Sequence, residues 1–258
     1  MVLDRILSDA RMRSEAAAAQ SGALVEAAAR SKPAKGFTEA LARPGLSVIA
    51  EVKRRSPSRG VLAAGLDAVA QARIYEDAGA TAISVLTEPL HFDGSLDDLV
   101  EVGDAVAVPV LRKDFVLDPA QVFEARAAGA DAVLLIVAAL GADMLERMIV
   151  AAAEAGIDAL VEVHGREEAA TARASGATLI GVNNRNLETF VTDLGVAEAL
   201  APMVQADGIV TVAESGIHTP DDAGRMRSAG YDAILVGEAA VRSADPGAFI
   251  AELREAGR

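Results

Sequence analysis

The sequence predicts an α/β fold of the (β/α)8 barrel type, and three observations carry that expectation. Short apolar runs alternate with Ala-rich, helix-prone segments, an order that favours a parallel sheet over a sandwich or a bundle. Eight such runs can be counted: Val48–Val52, Ala82–Leu86, Pro109–Arg112, Ala132–Ile136, Ala159–Val163, Leu179–Val182, Ile209–Val212 and Ala233–Val236. Their starts lie 20 to 34 residues apart, with one helical pattern expected in each gap. Eight units in ~200–250 residues is the size of a closed barrel. Glycines at 79, 129, 156, 176 and 230 each stand shortly before an apolar run, where a helix ending in the left-handed conformation favours glycine. A doubly wound open sheet is the alternative fold; it lacks support because no G-x-G-x-x-G turn follows the first run.

Composition narrows the function. The chain has 258 residues, 52% hydrophobic, only 3% aromatic, without Trp or Cys. The core is therefore aliphatic, and disulfides, a thiol nucleophile and zinc–cysteine sites are excluded. A net charge of −14 and a pI near 4.7 argue against sequence-independent binding to nucleic acid or to an anionic membrane. The N-terminal segment has early acidic residues and no apolar run, unlike a signal peptide. The longest apolar run, Ala132–Leu140, has nine residues, too few to cross a bilayer. A cytoplasmic location is the expectation.

Residues 1–46 precede the first strand. Leu3, Ile6, Leu7 and Ala10 fall on one helical face, and 16–19 and 24–29 continue helix-prone. Pro33 and Gly36 interrupt the pattern before a short helix at Phe37–Leu41, which Pro44-Gly45 ends. This stretch is too short for its own core. The expectation is one domain, 1–258, with 1–46 as an N-terminal helical extension.

The chemistry centres on Val48–Gly60. Glu51 and Lys53 are two apart on a strand and so share a side. Lys53, Arg54, Arg55 and Arg59 carry four positive charges with no acid between them, while the rest of the chain sums to −18 (−14 less +4). Such an island on an acidic protein points to a small anionic ligand, with a solvated charged loop as the alternative. In a barrel, functional residues belong at strand C-termini. There the sequence places Glu51 and Lys53, Arg112-Lys113-Asp114, Glu162, Asn183-Asn184-Arg185, Glu214-Ser215-Gly216 and Gly237-Glu238, with no comparable polar residues at the strand starts. Lysine beside glutamate in a partly desolvated mouth can act as general acid and base. The glycines after strands seven and eight, and a short helix from Ala239, fit a phosphate site, provided that Glu238 turns its carboxylate aside. His91, His164 and His218 stand one per loop and do not form a zinc set; they read as exposed or packed loop residues. Phe92 and Phe115 place aromatic rings in loops, either to meet an aromatic substrate or to anchor those loops.

Taken together, IAEVKRRSPSRG (49–60), SVLTEPLHFDGS (84–95), PVLRKDFVLDPAQVFEARAAGADAVLLI (109–136), ALVEVH (159–164), IGVNNRNLETF (180–190), VAESGI (212–217) and ILVGEAAVR (234–242) resemble indole-3-glycerol-phosphate synthase in order and spacing. The resemblance runs from Phe37 onward and, as a set, is highly specific. It implies a (β/α)8 barrel whose N-terminal extension lies over the active-site mouth. It also implies ring closure of 1-(2-carboxyphenylamino)-1-deoxyribulose 5-phosphate with loss of CO2 and water. No metal, organic cofactor, nucleic acid, membrane or obligate protein partner is implied. Position by position, Lys113 matches the general acid, Glu162 the general base, and Lys53 a second lysine with a proton-transfer role in dehydration. Glu51, Asn183 and Glu214 match residues that orient substrate and lysines. Ser56 and Arg185 match contacts to the substrate's anionic end, and Phe92, Phe115, Leu134 and Leu187 match the pocket for the anthranilate ring. Ser215, Gly216, Gly237 and Glu238 match the phosphate-binding turns. The sequence departs from the pattern at Ala239, often Ser, and Ala120, often Tyr. The first puts one phosphate hydrogen bond in doubt; the second is expected to matter little. Other phosphate-binding barrels, such as phosphoribosylanthranilate isomerase or the tryptophan synthase α subunit, lack Glu51-x-Lys53 with Ser56-Pro57-Ser58 and the Arg112–Phe115 signature. A barrel that binds without turnover is the remaining alternative, against which stands the complete set of six catalytic-type residues.

Overall fold

In a computed structural model of the protein, residues 2–187 and 189–256 are described, without the side chains of 2 and 3; the expected contribution of Leu3 to a helix face lies outside the described residues. Eight parallel strands close into a barrel: β1 (Ser47–Val52), β2 (Ala82–Leu86), β3 (Val110–Lys113), β4 (Ala132–Ile136), β5 (Asp158–Val163), β6 (Leu179–Asn183), β7 (Val210–Glu214) and β8 (Ala233–Val236). Each pairs with the next, and β8 closes on β1 with Ser47 opposite Ala233 and Ile49 opposite Leu235. The chain thus folds as a (β/α)8 TIM barrel. The helices are α1 (Val2–Ala18), α2 (Ser21–Ala29), α3 (Phe37–Leu41), α4 (Ala68–Asp77), α5 (Leu96–Ala105), α6 (Pro119–Ala127), α7 (Val137–Leu140), α8 (Ala142–Ala155), α9 (Arg166–Ala174), α10 (Gly195–Val204), α11 (Pro220–Ser228), α12 (Glu238–Arg242) and α13 (Pro246–Ala256). The gap after β4 holds two helices where one was expected. A two-stranded ribbon, Arg55–Ser56 with Gly60–Val61, folds in the loop after β1 and was not legible as a strand pattern.

Strand alternation divides the aliphatic residues into two clusters. One row packs outward against the helices, as Val48, Ala50, Val52, Val161, Val163, Ile180 and Val182 do. The other fills the barrel, with Ile49, Leu111, Leu134, Leu160, Leu179 and Val212 among its members. Burying each such side chain contributes ~1.5–3 kcal/mol. Along the inward row, two residues beyond the aliphatic layer lie Glu51, Lys113, Glu162 and Glu214. The same period of two that builds the core therefore aims the polar residues into the mouth.

The N-terminal extension wraps the barrel from end to end rather than only covering the mouth. α1 lies at the mouth, α2 packs along α6, and α3 closes the opposite end, where Phe37 and Leu41 are fully buried with the interior cluster. Polar residues do occur at the strand starts, which corrects the sequence expectation. Asp131 accepts from the Val110 and Lys35 backbone N–H groups (both 2.8 Å). Asp158 accepts from Thr38 N (2.8 Å), and Asp232 from Thr211 N (2.8 Å) and Oγ1 (2.9 Å). The reason is backbone satisfaction: N–H groups at that end of the barrel need acceptors when buried, and Asp131 and Asp158 also fasten the extension.

Candidate active site

All sixteen residues that the family resemblance assigns to the site line a single cavity at the C-terminal ends of the strands. At its floor, Lys113 donates to Glu162 Oε2 at 2.9 Å and to Glu214 Oε2 at 3.0 Å. β3, β5 and β7 thus place one ammonium between two buried carboxylates. Gly181 of β6 makes room for this: a Cβ there would overlap Glu214 Oε1. Burial lowers the Lys113 pKa, but Glu162, Glu214 and Glu51 outweigh it and raise it well above the ordinary lysine value. Burial raises both carboxylates. For Glu162, Lys113 and His164 reverse the direction and hold it far below the usual range. Glu214 is pushed up to about 7 by burial and the Glu162 charge, against the pull of Lys113. Two like groups with pKa values driven apart are suited to separate acid and base roles.

At the end of β1, Lys53 pairs with Glu51. Gly237, read from sequence as a place for an anion to approach, serves this pair: a Cβ on Gly237 would overlap Glu51 Oε1 and lie 2.9 Å from Lys53 Nζ. The positive island is divided. Only Lys53 of the four lines the cavity. Arg54 clamps Asp98 with two bonds of 2.7 Å and donates to Leu66 O, Arg55 is exposed on the ribbon, and Arg59 pairs with Glu238 at 3.1 Å. Strand alternation likewise turns Arg112 outward, where it holds Glu124 (2.8 Å) and Gln121 O (3.0 Å) under α6.

Phe92 and Phe115 face one another across the apolar side, ring centroids 6.4 Å apart and tilted by 41°, with Leu134 and Leu187 on the same cavity. Three residues the sequence reading gave no role fix this wall. Buried Glu88 accepts from His91 N (2.6 Å) and Phe92 N (3.1 Å), and Asp114 accepts from Phe115 N (2.8 Å). Arg13 of α1 reaches both carboxylates, at 3.2 Å and 2.9 Å. No motif marks Arg13; its partners lie 75 and 101 residues away. Asn184 was also given no role of its own. It donates to Glu214 O and Ser215 O (3.0 and 3.1 Å) and accepts from Ala197 N. The alternation that turns Asn183 inward turns Asn184 outward.

At the polar end, the Ser56 hydroxyl is buried with no protein partner among the described residues. Ser215 and Gly216 both have positive φ, 64° and 85°, turning the chain over the cavity after β7. α12 begins at Glu238, one residue before the expected start. The Glu238 carboxylate turns to Arg59, with Arg185 and Arg242 each at 3.7 Å. Arg185 also donates to Ser58 Oγ at 3.2 Å. Among the described residues, no group of three or more His, Asp or Glu is arranged to hold a metal ion.

The profile of the family described as "Indole-3-glycerol phosphate synthase" matches residues 3–253. The chain belongs to the indole-3-glycerol phosphate synthase family. An indole-3-glycerol phosphate synthase from Parafrankia sp. (strain EAN1pec) is 54% identical over 217 residues, covering 84% of this chain and 81% of that protein. One from Mycobacterium sp. (strain KMS) is 47% identical over 258 residues, covering 99% and 94%. Among solved structures, 3-hexulose-6-phosphate synthase from Salmonella typhimurium superposes with a TM-score of 0.67 at 14% identity, covering 82% of this chain and 98% of that one; it shares the barrel fold. Within the synthase family framework, Ala239 lines the cavity beside Glu238, whereas Ala120 is buried in the first turn of α6, its N–H bonded to Asp118 at 2.9 Å.

Proposed function

We propose that the chain closes the indole ring of 1-(2-carboxyphenylamino)-1-deoxyribulose 5-phosphate, releasing CO2 and water to give indole-3-glycerol phosphate. The observation that carries the assignment of roles is the single Lys113 ammonium held between Glu162 and Glu214 in a cavity walled by Phe92 and Phe115. The ring lies between the phenylalanines and against Leu134 and Leu187, with its carboxylate near Lys53. The aromatic carbon bearing that carboxylate attacks the ketone carbon. Lys113 gives its proton to the ketone oxygen, which becomes a hydroxyl, and the carboxylate leaves as CO2, restoring the aromatic ring. The hydroxyl then departs as water, taking a proton from a lysine, with Lys53 in that role. Glu162 takes the proton released as the indole double bond forms. Glu51 and Glu214 hold the two ammonium groups in place, and Asn183 orients the substrate. Positioning of this kind supplies most of the rate where the chemistry needs only orientation and proton transfer.

The phosphate lies over Ser215-Gly216 and Gly237-Glu238, with Ser56 donating its free hydroxyl and Arg185 adding charge. Main-chain N–H groups are suited to such an anion. The extension and barrel act as one domain, for which the Arg13 contacts and the buried Phe37 plug are the support. A cytoplasmic location belongs to the same reading; among the described residues no helix is long and apolar enough to cross a membrane. The test is incubation of purified protein with the carboxyphenylamino-deoxyribulose phosphate. Growth of indole fluorescence is expected, and a folded protein that produces none overturns the reading.

A further inference from the structure

On the floor of the active-site mouth Glu51, Glu162 and Glu214 are each at most 4% exposed, and the ammonium groups beside them are Lys53 and Lys113. An unmatched buried carboxylate is strongly unfavourable. His164 brings a further nitrogen up to Glu162. It follows Glu162 by two residues at the end of β5, so both side chains leave the strand on one side. Its Nε2 is 3.3 Å from Glu162 Oε1, while Lys113 holds the other oxygen, Oε2, at 2.9 Å. The Nε2 contact is an ion-pair contact and not an aligned hydrogen bond. On its far side, Nδ1 is 3.1 Å from Glu168 Oε2, and the same oxygen accepts from the His164 backbone N–H at 2.8 Å. Both ring nitrogens therefore face carboxylate oxygens. A neutral imidazole has one N–H only and would turn a lone pair toward one of them; the imidazolium presents a positively charged N–H to both.

We propose that His164, as an imidazolium backed by Glu168, is a positioning residue that keeps Glu162 ionised and aimed at Lys113. This rests on the reading of Glu162 as the base. His164 does not line the substrate cavity. It opens instead, with Glu168, on an adjoining hollow behind the β6 loop, which shares Asn183, Arg185 and Leu187 with that cavity; Arg185 and Asp193 are its other charged side chains and α7 contributes Ala138. It therefore acts through Glu162 and does not touch substrate. Burial lowers the His164 pKa, but the carboxylates of Glu162 and Glu168 outweigh it and raise it to about 10, consistent with the two-sided geometry.

The experiment measures kcat and KM against pH in the parent, His164→Gln and Glu168→Gln, together with imidazole nitrogen NMR of the parent. In His164→Gln, kcat at neutral pH is expected to fall about 10-fold, part of the ~10²–10⁴-fold that a general base supplies. The acid limb should move to higher pH and the deficit shrink as pH rises and Glu162 re-ionises, with KM little changed. Glu168→Gln should shift the limb the same way by less. In the parent, one imidazole should remain doubly protonated at about pH 8, above the ordinary ~6.5; the Gln variants of each of the three histidines assign it. A His164→Gln variant with the parent's pH profile, or a His164 signal titrating near ~6.5, overturns the proposal. If His164→Gln does not fold, the parent's NMR signal, assigned through His91→Gln and His218→Gln, still decides it. Loss of turnover in the parent itself would overturn the proposed reaction, while the charge state of His164 stays readable.

Discussion

Lys113 of β3 and Glu162 of β5 meet across the barrel mouth, Nζ to Oε2, at 2.9 Å. Each is placed by its own strand, and the bond between an acid and a base candidate makes their roles separable by substitution. Lys113→Met and Glu162→Gln are each expected to lower kcat by about 10²-fold or more, the size of a lost general acid or base. Steady-state kinetics on folded variants checks this; near-parent kcat in either would remove that residue from its role.

The same contact predicts a pH-dependent stability. Glu162 is held low in the folded protein by Lys113 and His164 against the opposing effect of burial, so its contribution is present above its unfolded pKa and lost as pH falls. In Lys113→Met, Glu162 loses the charge that does most to hold it down, and Glu214, already pushed up to about 7, loses the pull that opposes burial, so both folded pKa values rise. Stability then declines as pH rises. The gap in Tm between parent and variant should therefore widen from about pH 4 to about pH 7. A gap that is constant across that window would mean that Lys113 does not offset the buried charges.

Gly237→Ala tests whether that glycine serves the Glu51–Lys53 pair. The added methyl overlaps Glu51 Oε1 and crowds Lys53 Nζ, so both side chains must shift. A displacement of about 1 Å in a catalytic group can reduce the rate by ~10²-fold. We expect a fall in kcat as well as a rise in KM. A rise in KM alone would show that the glycine admits an anion and leaves the pair undisturbed.

Phe37 lies at the end of the barrel opposite the site, with 0% exposure. Phe37→Ala should lower stability by about 3–5 kcal/mol, the usual result of deleting a buried aromatic ring. The kcat of the folded fraction should stay near that of the parent. Denaturant unfolding with parallel assays checks this, and a small stability loss would mean that α3 does not close the barrel core.

Arg13 ties α1 to Glu88 and Asp114, whose side chains are 0% and 1% exposed. Breaking a buried ion pair by removing one partner costs about 3–5 kcal/mol, and the 25% exposure of Arg13 reduces that through solvent screening. Arg13→Gln should raise KM, because both carboxylates hold the backbone of the Phe92 and Phe115 loops. An unchanged KM would separate α1 from the aromatic wall.

The eight strands were legible because their apolar runs are short, regularly spaced and bounded by glycines. Their ends were less so: Lys113, Asn183 and Glu214 belong to the strands, beyond the limits read from sequence, because strand pairing continues past the last apolar residue. The histidines lie in loops, as expected. His164 looked like a loop residue, and only the approach of Glu162 on one side and Glu168 on the other gives it a charge. Arg54 and Arg112 looked like part of a ligand site, yet Asp98 and Glu124 hold them elsewhere.

By itself, the sequence determined the barrel and the polar residues at its strand ends, since a period of two is a local property of the chain, and the family resemblance carried by its motifs supplied the rest of the sixteen cavity residues. Tertiary structure decided which charges meet. It gave Lys113 two carboxylates, set Gly237 beneath Glu51, and joined Arg13 to partners 75 and 101 residues away. Charge pairing depends on distance in space, and strand closure brings together side chains whose separation along the chain carries no record of it.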